Sequence, residues 1–193
     1  ETVPARRRIT VRDLLTFQMG FGALLVPPGT YPIQQAVADL GIRTLGPPTP
    51  PIAHAPDEWV KRLGTLPLMA QPGDTWMYNT GSYVLGVLIA RASGKRFDEF
   101  LKDRIFEPLG MKDTTFSATR SAVTRLAPAY RFDHEADALT VFDPAEGSQW
   151  ATDPTFLDGG AGLLSTADDY LAFAQMMLNK GTYGKHGNYR ILS

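Results

Sequence analysis

From Gln71 to Gly86 the chain reads QPGDTWMYNTGSYVLG. A Pro-Gly turn and two large apolar residues lead to Tyr78, and a long helical pattern begins just beyond it. Tyr83, Val84, Val87 and Leu88 recur at helical spacing and Gly94 can stop the chain, which predicts a helix from about Asn79 or Thr80 to Ser93. Tyr78 therefore stands at a helix mouth. A tyrosine in that position serves either packing or proton transfer.

On the N-terminal side, Ala55 to Leu63 reads as a helix. Pro56 falls in its first turn, Trp59 and Leu63 are spaced by four, and Asp57 and Glu58 match the positive end of the dipole. Before it, proline-rich turns at Pro27-Pro28 and Pro47 to Pro51 flank a short helix over Tyr31 to Leu40. ITVRDLLTFQMG comes first, with Thr10 as cap, Val11, Leu14 and Leu15 on one face, and Gly20 as its end.

On the C-terminal side, Phe97 to Ile105 is a helix ended by Pro108 and Gly110. Residues 112–149 read as loops with one small hairpin near Ala129 to Val141. A last helix has Thr166 as N-cap and Asp168 and Asp169 in its first turn. Tyr170, Phe173, Ala174, Met177 and Leu178 form its expected buried stripe, and Lys180-Gly181 closes it. The pattern is mainly α with long loops and few short strands, a single helix-rich region over 1–193.

Composition narrows the function classes. With 44% hydrophobic and 20% charged residues the chain has a globular balance, and no apolar run approaches the ~18 residues of a membrane span. A net charge of −1 provides no field for nucleic acid or an anionic membrane, so neither is expected as a partner. Arg6, Arg7 and Arg8 read as a solvated stretch. The absence of cysteine excludes disulfides, thiolate metal sites and a cysteine nucleophile. ETVPARRRIT has no apolar core of a signal peptide, which leaves the compartment open.

His54, His134 and His186 lack a second ligand at helical spacing, so no metal or other cofactor is expected. G-x-S-x-G and the phosphate-binding G-x-x-x-x-G-K-[ST] are both absent. Gly159, Gly160 and Gly162 either turn the chain onto the last helix or let backbone form a cleft wall.

ITVRDLLT, PLMAQPGDTWMY, YVLGVLIARASGKRFDEFLKDRIFEPLGMKDTTF and GGAGLLSTADDYLAFAQMML, in this order, resemble the serine β-lactamase-like hydrolases: class C β-lactamases, DD-peptidases and related esterases. The resemblance lapses over 22–52 and 117–150. It implies the helical part of the β-lactamase/penicillin-binding-protein-like α/β fold, packed in the family against a sheet domain of the same protein. It also implies a serine in S-x-x-K, a tyrosine that shuttles the proton, and a later K-T-G or H-x-G strand. Tyr78 matches that tyrosine. A free phenol, with a pKa near ~10, needs nearby cations to act as a base at neutral pH.

The residues three before Lys61, Lys95, Lys102, Lys112, Lys180 and Lys185 are Glu58, Ala92, Glu99, Leu109, Met177 and Thr182, none of them serine. No K-T-G follows, and Lys185-His186-Gly187 falls in loop sequence. The chain is thus expected to lack the nucleophile and the segments that build the sheet domain, and to be inactive alone. Thr80 stands where a β-lactamase carries the amide-holding asparagine, and Asn79 is one place early. In LLTFQMG, Phe17, Gln18 and Met19 replace the family's His-Thr-Ser.

The resemblance makes Tyr78 catalytic and Trp76, Asn79, Thr80, Gly160 and Gly162 candidates for substrate contact. Trp76, Met77 and Phe156 line an acyl pocket or belong to the core. A small-molecule ester is the first expectation for the substrate, a β-lactam or peptide the second. A catalytically inactive binding homologue and a helical dimerisation surface are the rivals.

Overall fold

A computed structural model describes residues 2–42, 52–118, 120–184 and 189–192. Pro47 to Pro51 and Lys185-His186-Gly187 lie outside the described residues. The chain divides into two compact units, one of Glu1–Phe100 with Thr155–Gly162 and one of Leu101–Pro154 with Leu163–Ser193.

In the first unit, α1 (Val11–Leu15) begins at Thr10, whose hydroxyl accepts from the Asp13 N–H while the Asp13 carboxylate accepts from the Thr10 N–H. This reciprocal cap satisfies donors a helix start leaves orphaned. Helix α2 is Pro32–Asp39 and α3 is Pro56–Leu63, each with its proline in the first turn. Helix α4, Thr80–Ser93, ends at Gly94 in the left-handed conformation, and α5 is Phe97–Leu101.

Trp59 from α3, Tyr83 from α4 and Phe156 form the centre of the core, with ring centroids 5.1 to 6.0 Å apart. Leu14, Met19, Phe21, Ile42, Leu63 and Val87 complete it. Of the face expected on the first helix only Leu14 is buried, because Val11 and Leu15 point to solvent from a helix of little more than one turn.

The second unit opens with a π-helical turn, Lys102–Phe106, followed by α6, Glu107–Leu109, and a left-handed Gly110. An uninterrupted α-helix to Ile105 was expected. The widening precedes Pro108, which has no N–H to offer the carbonyl of Arg104 and whose ring would crowd it.

Helix α7 is Arg120–Val123, and β1 (Ala129–Asp133) pairs antiparallel with β2 (Ala138–Asp143), Phe132 opposite Leu139. The expected hairpin is present. A 3₁₀ turn at Gln149–Ala151 precedes α8, Ala167–Leu178, capped by the Thr166 hydroxyl. Strands β3 (Thr182–Tyr183) and β4 (Tyr189–Arg190) pair antiparallel.

Asp169, in the first turn of α8, accepts from the Asp113 N–H and the Thr114 hydroxyl, both at 2.8 Å through Oδ2. Thr115 and Leu164 exchange backbone bonds at 3.1 and 2.8 Å. KDTT and GLLSTADD, distant in sequence, are thus stitched together.

The expected stripe of α8 is corrected. Met176 is 1% exposed, whereas Tyr170, Met177 and Leu178 face solvent, Leu178 at 83%. Apolar residues surround this helix, so spacing alone selects no face. Among the described residues no helix is long and apolar enough to cross a membrane.

Candidate active site

Two backbone segments of the first unit, 17–23 and 69–78, run side by side and hold Tyr78. The Met77 N–H donates to the Phe17 carbonyl, the Gly73 N–H to Gln18, and the Ala23 N–H to the Tyr78 carbonyl, each at 2.8 Å. Gly22 makes the approach possible, since a Cβ there would lie 2.6 Å from the Met77 Cβ.

After Tyr78 the chain folds back sharply. The Thr80 N–H donates to the Tyr78 carbonyl at 3.0 Å, and Asn79 between them has φ 74 and ψ −51. These are the angles of the rare γ-turn of positive φ, which a non-glycine residue adopts only under strain. Helix α4 starts at the next residue.

The turn sends neighbouring side chains in opposite directions. Tyr78 is 45% exposed and Trp76 59%, with ring centroids 6.0 Å apart, and Phe17 meets Trp76 edge-on at 5.9 Å. Phe17 itself has a positive φ of 56. The aromatic row is open to solvent.

Asn79 points inward and hydrogen-bonds Tyr83. Its Oδ1 fills the space beside Gly160, where a Cβ would come within 2.6 Å of it. Asp158 is buried next to these groups, its Oδ1 accepting from the N–H of Gly160 at 2.5 Å and of Ala161 at 3.2 Å. Burial raises the pKa of the Asp158 carboxyl, partly offset by the Gly160 N–H and the Tyr83 hydroxyl. Burial likewise raises Tyr83, reinforced by the charge of Asp158.

Tyr78 and Trp76 therefore share the surface, while Asn79 and Gly160 meet just behind them. Thr80 is 0% exposed, because the turn at Asn79 directs its side chain into the core. Gly162 is buried and Gly160 exposed. Phe156 is core, and Met77 is half-buried. Asp158 and Tyr83 were not anticipated as parts of the site. The available signal was an acid directly before the Gly159-Gly160 pair.

The sequence model of the Beta-lactamase family matches residues 1–193. An uncharacterized protein of Mycobacterium tuberculosis is 39% identical over 181 residues, covering 94% of this chain and 41% of that protein. The lovastatin esterase of Penicillium rubens is 32% identical over 113 residues, covering 58% of this chain and 25% of that protein.

Among solved structures, EstCE1, described as a hydrolase with promiscuous acyltransferase activity, superposes with a TM-score of 0.71 at 24% identity, covering 96% of this chain and 48% of that one. The chain spans less than half the length of each of these proteins. The family model runs the full length of the sequence and the fold follows it, so this chain belongs to the β-lactamase-like family of serine hydrolases.

Proposed function

We propose that this chain supplies the proton-shuttling tyrosine and the helical scaffold of a serine esterase that works through an acyl-enzyme. The observation that carries this reading is Tyr78. In the tyrosine position of the family pattern, it presents a phenol 45% exposed to solvent on a backbone tied at its own carbonyl and at the preceding N–H.

A serine outside these residues attacks the ester carbonyl while the Tyr78 oxygen takes its proton. The same proton passes to the departing alkoxide as the C–O bond breaks. Water then cleaves the acyl-serine with the proton moving in the reverse sense. Trp76 and Gly160 flank the substrate, with the Asn79 side chain packed behind Gly160. An ester is favoured because the third motif position is the buried Thr80, which leaves no side chain there to hold an amide. A related protein is also named an esterase.

The serine and the cation beside the phenol come from the remainder of the protein, in a sheet domain packed on these helices. Without them this chain is inactive. A cooperating catalytic set loses nearly all its rate when the nucleophile is removed.

The test begins with the reading frame upstream of Glu1, where an S-x-x-K supports the enzyme and its absence supports a binding homologue. In the protein carrying that motif, Tyr78→Phe is expected to lower turnover of a p-nitrophenyl ester by about 10²–10⁴-fold with unchanged folding stability. Wild-type turnover would remove Tyr78 from the mechanism.

A further inference from the structure

Between residues 21–28 and α2 lies a cavity of about 390 Å³. We infer that it binds the aliphatic acyl chain of the substrate. The inference rests on the ester-hydrolase reading above and gives that reading a substrate class.

The lining sets the chemistry. Phe21, Leu24, Val26, Ile33, Val37 and Met69 form the walls, with no charged side chain among the described lining residues. Among the described lining residues Gln34 contributes the one polar side chain, and its amide is already engaged. Its Oε1 accepts from the Tyr31 N–H at 2.9 Å, and its Nε2 donates to the carbonyls of Pro27 and Val26 at 3.2 and 3.4 Å. A polar group placed inside would find no side-chain partner and would lose about 1–3 kcal/mol of solvation without return. The occupant is therefore apolar.

Size and rigidity point the same way. An apolar cavity of about 150 Å³ accepts benzene, so this one has room for a medium-length alkyl chain, and it falls within the usual range of ligand sites. Its outer wall is fixed by the Thr30 hydroxyl, which donates to the Pro27 carbonyl at 2.7 Å, and by the Gln34 ties. The mouth is not sealed, since Val26 remains 39% exposed.

Position links the cavity to Tyr78. Gly22 and Ala23 line it; Gly22 abuts Met77, and the Ala23 N–H donates to the Tyr78 carbonyl. The wall of the cavity and the backbone that carries the phenol are thus hydrogen-bonded to each other. Nearly all of the lining comes from residues 21–38. A cavity so placed is suited to choosing among acyl groups.

The test uses the protein carrying this chain. Binding of sodium octanoate is measured by calorimetry, and kcat/KM is compared for p-nitrophenyl octanoate and p-nitrophenyl acetate. Val37→Trp, which fills the cavity, is expected to abolish octanoate binding and to lower kcat/KM on the octanoate ester by roughly ten-fold or more while sparing the acetate ester. Ala38→Leu, a milder filling, should act in the same direction and serves if Val37→Trp does not fold. Octanoate binding and chain-length preference unaltered in a folded filled variant would overturn the inference. If no ester is cleaved by the wild type but octanoate still binds and is lost on filling, the cavity assignment stands and the hydrolase reading fails.

Discussion

The Thr80 amide donates to the Tyr78 carbonyl across a single residue, at 3.0 Å, and holds Asn79 between them at φ 74. Backbone strain of this kind costs on the order of 1–3 kcal/mol and persists only where the surroundings impose it. Here the pairing of Tyr78 with Ala23 on one side and the core contacts of Thr80 on the other impose it.

Replacing Asn79 separates the strain from the side chain. Asn79→Gly and Asn79→Ala both lose the bond to Tyr83, but only alanine must adopt the positive φ at a steric cost. The glycine variant is expected to be the more stable by about 1 kcal/mol in urea unfolding. Equal stabilities would show that the turn is not kept in solution.

Asp13 predicts an acid transition. Its carboxylate accepts both guanidinium nitrogens of Arg7 at 2.6 and 2.8 Å, together with the Thr10 N–H at 2.7 Å and the Thr10 hydroxyl at 2.8 Å. The Arg7 bonds, and then those from Thr10, hold its pKa well below the ordinary value of 3.8. A folded value below the unfolded one means stability that is fully present above the unfolded value and is lost as pH falls. The gap in urea midpoint between wild type and Asp13→Asn should therefore close as pH drops from about 5 toward 2. A gap that stays constant over that range would rule out the ionised carboxylate as its source.

Gly159 tests the seating of the glycine loop on α4. A Cβ there would stand 2.3 Å from the Ser82 carbonyl oxygen, a backbone atom that cannot swing aside. Gly159→Ala should cost about 3 kcal/mol, the upper end for overpacking. Gly29→Ala, at φ 80 but in open space, should cost only the left-handed penalty of about 1–2 kcal/mol. Thermal unfolding of the two variants side by side makes the comparison, and similar losses would place the loop elsewhere.

Where a helix boundary is written in its own few residues, the sequence suffices. Pro56, Gly94 and Thr166 each mark the end they were expected to mark, because a fixed φ, a missing Cβ and a capping hydroxyl are local chemistry. Which face a helix buries depends on its neighbours. For that reason Tyr170 and Leu178 were placed inside although they face water.

The site divides in the same way. The place of Tyr78 directly before a helix was legible from its motif, whereas the sequence left Trp76 between an acyl pocket and the core and only the fold shows it exposed. The buried set of Asn79, Tyr83 and Asp158 was not legible, since Asp158 reaches the others only through the path of the folded chain. Raising the pKa of Asp158 works against folding once that carboxyl ionises. The group is held there by the N–H donors of Gly160 and Ala161.

The open aromatic row gives the molecule a built-in optical probe. Trp76 stands more than half in water beside Tyr78, whereas Trp59 is sealed in the core and Trp150 is half-covered. Indole emission responds to hydration, so a ligand settling over the phenol would shift and sharpen the signal of Trp76 against a steady background from Trp59. Occupancy next to Tyr78 can thus be followed without a label.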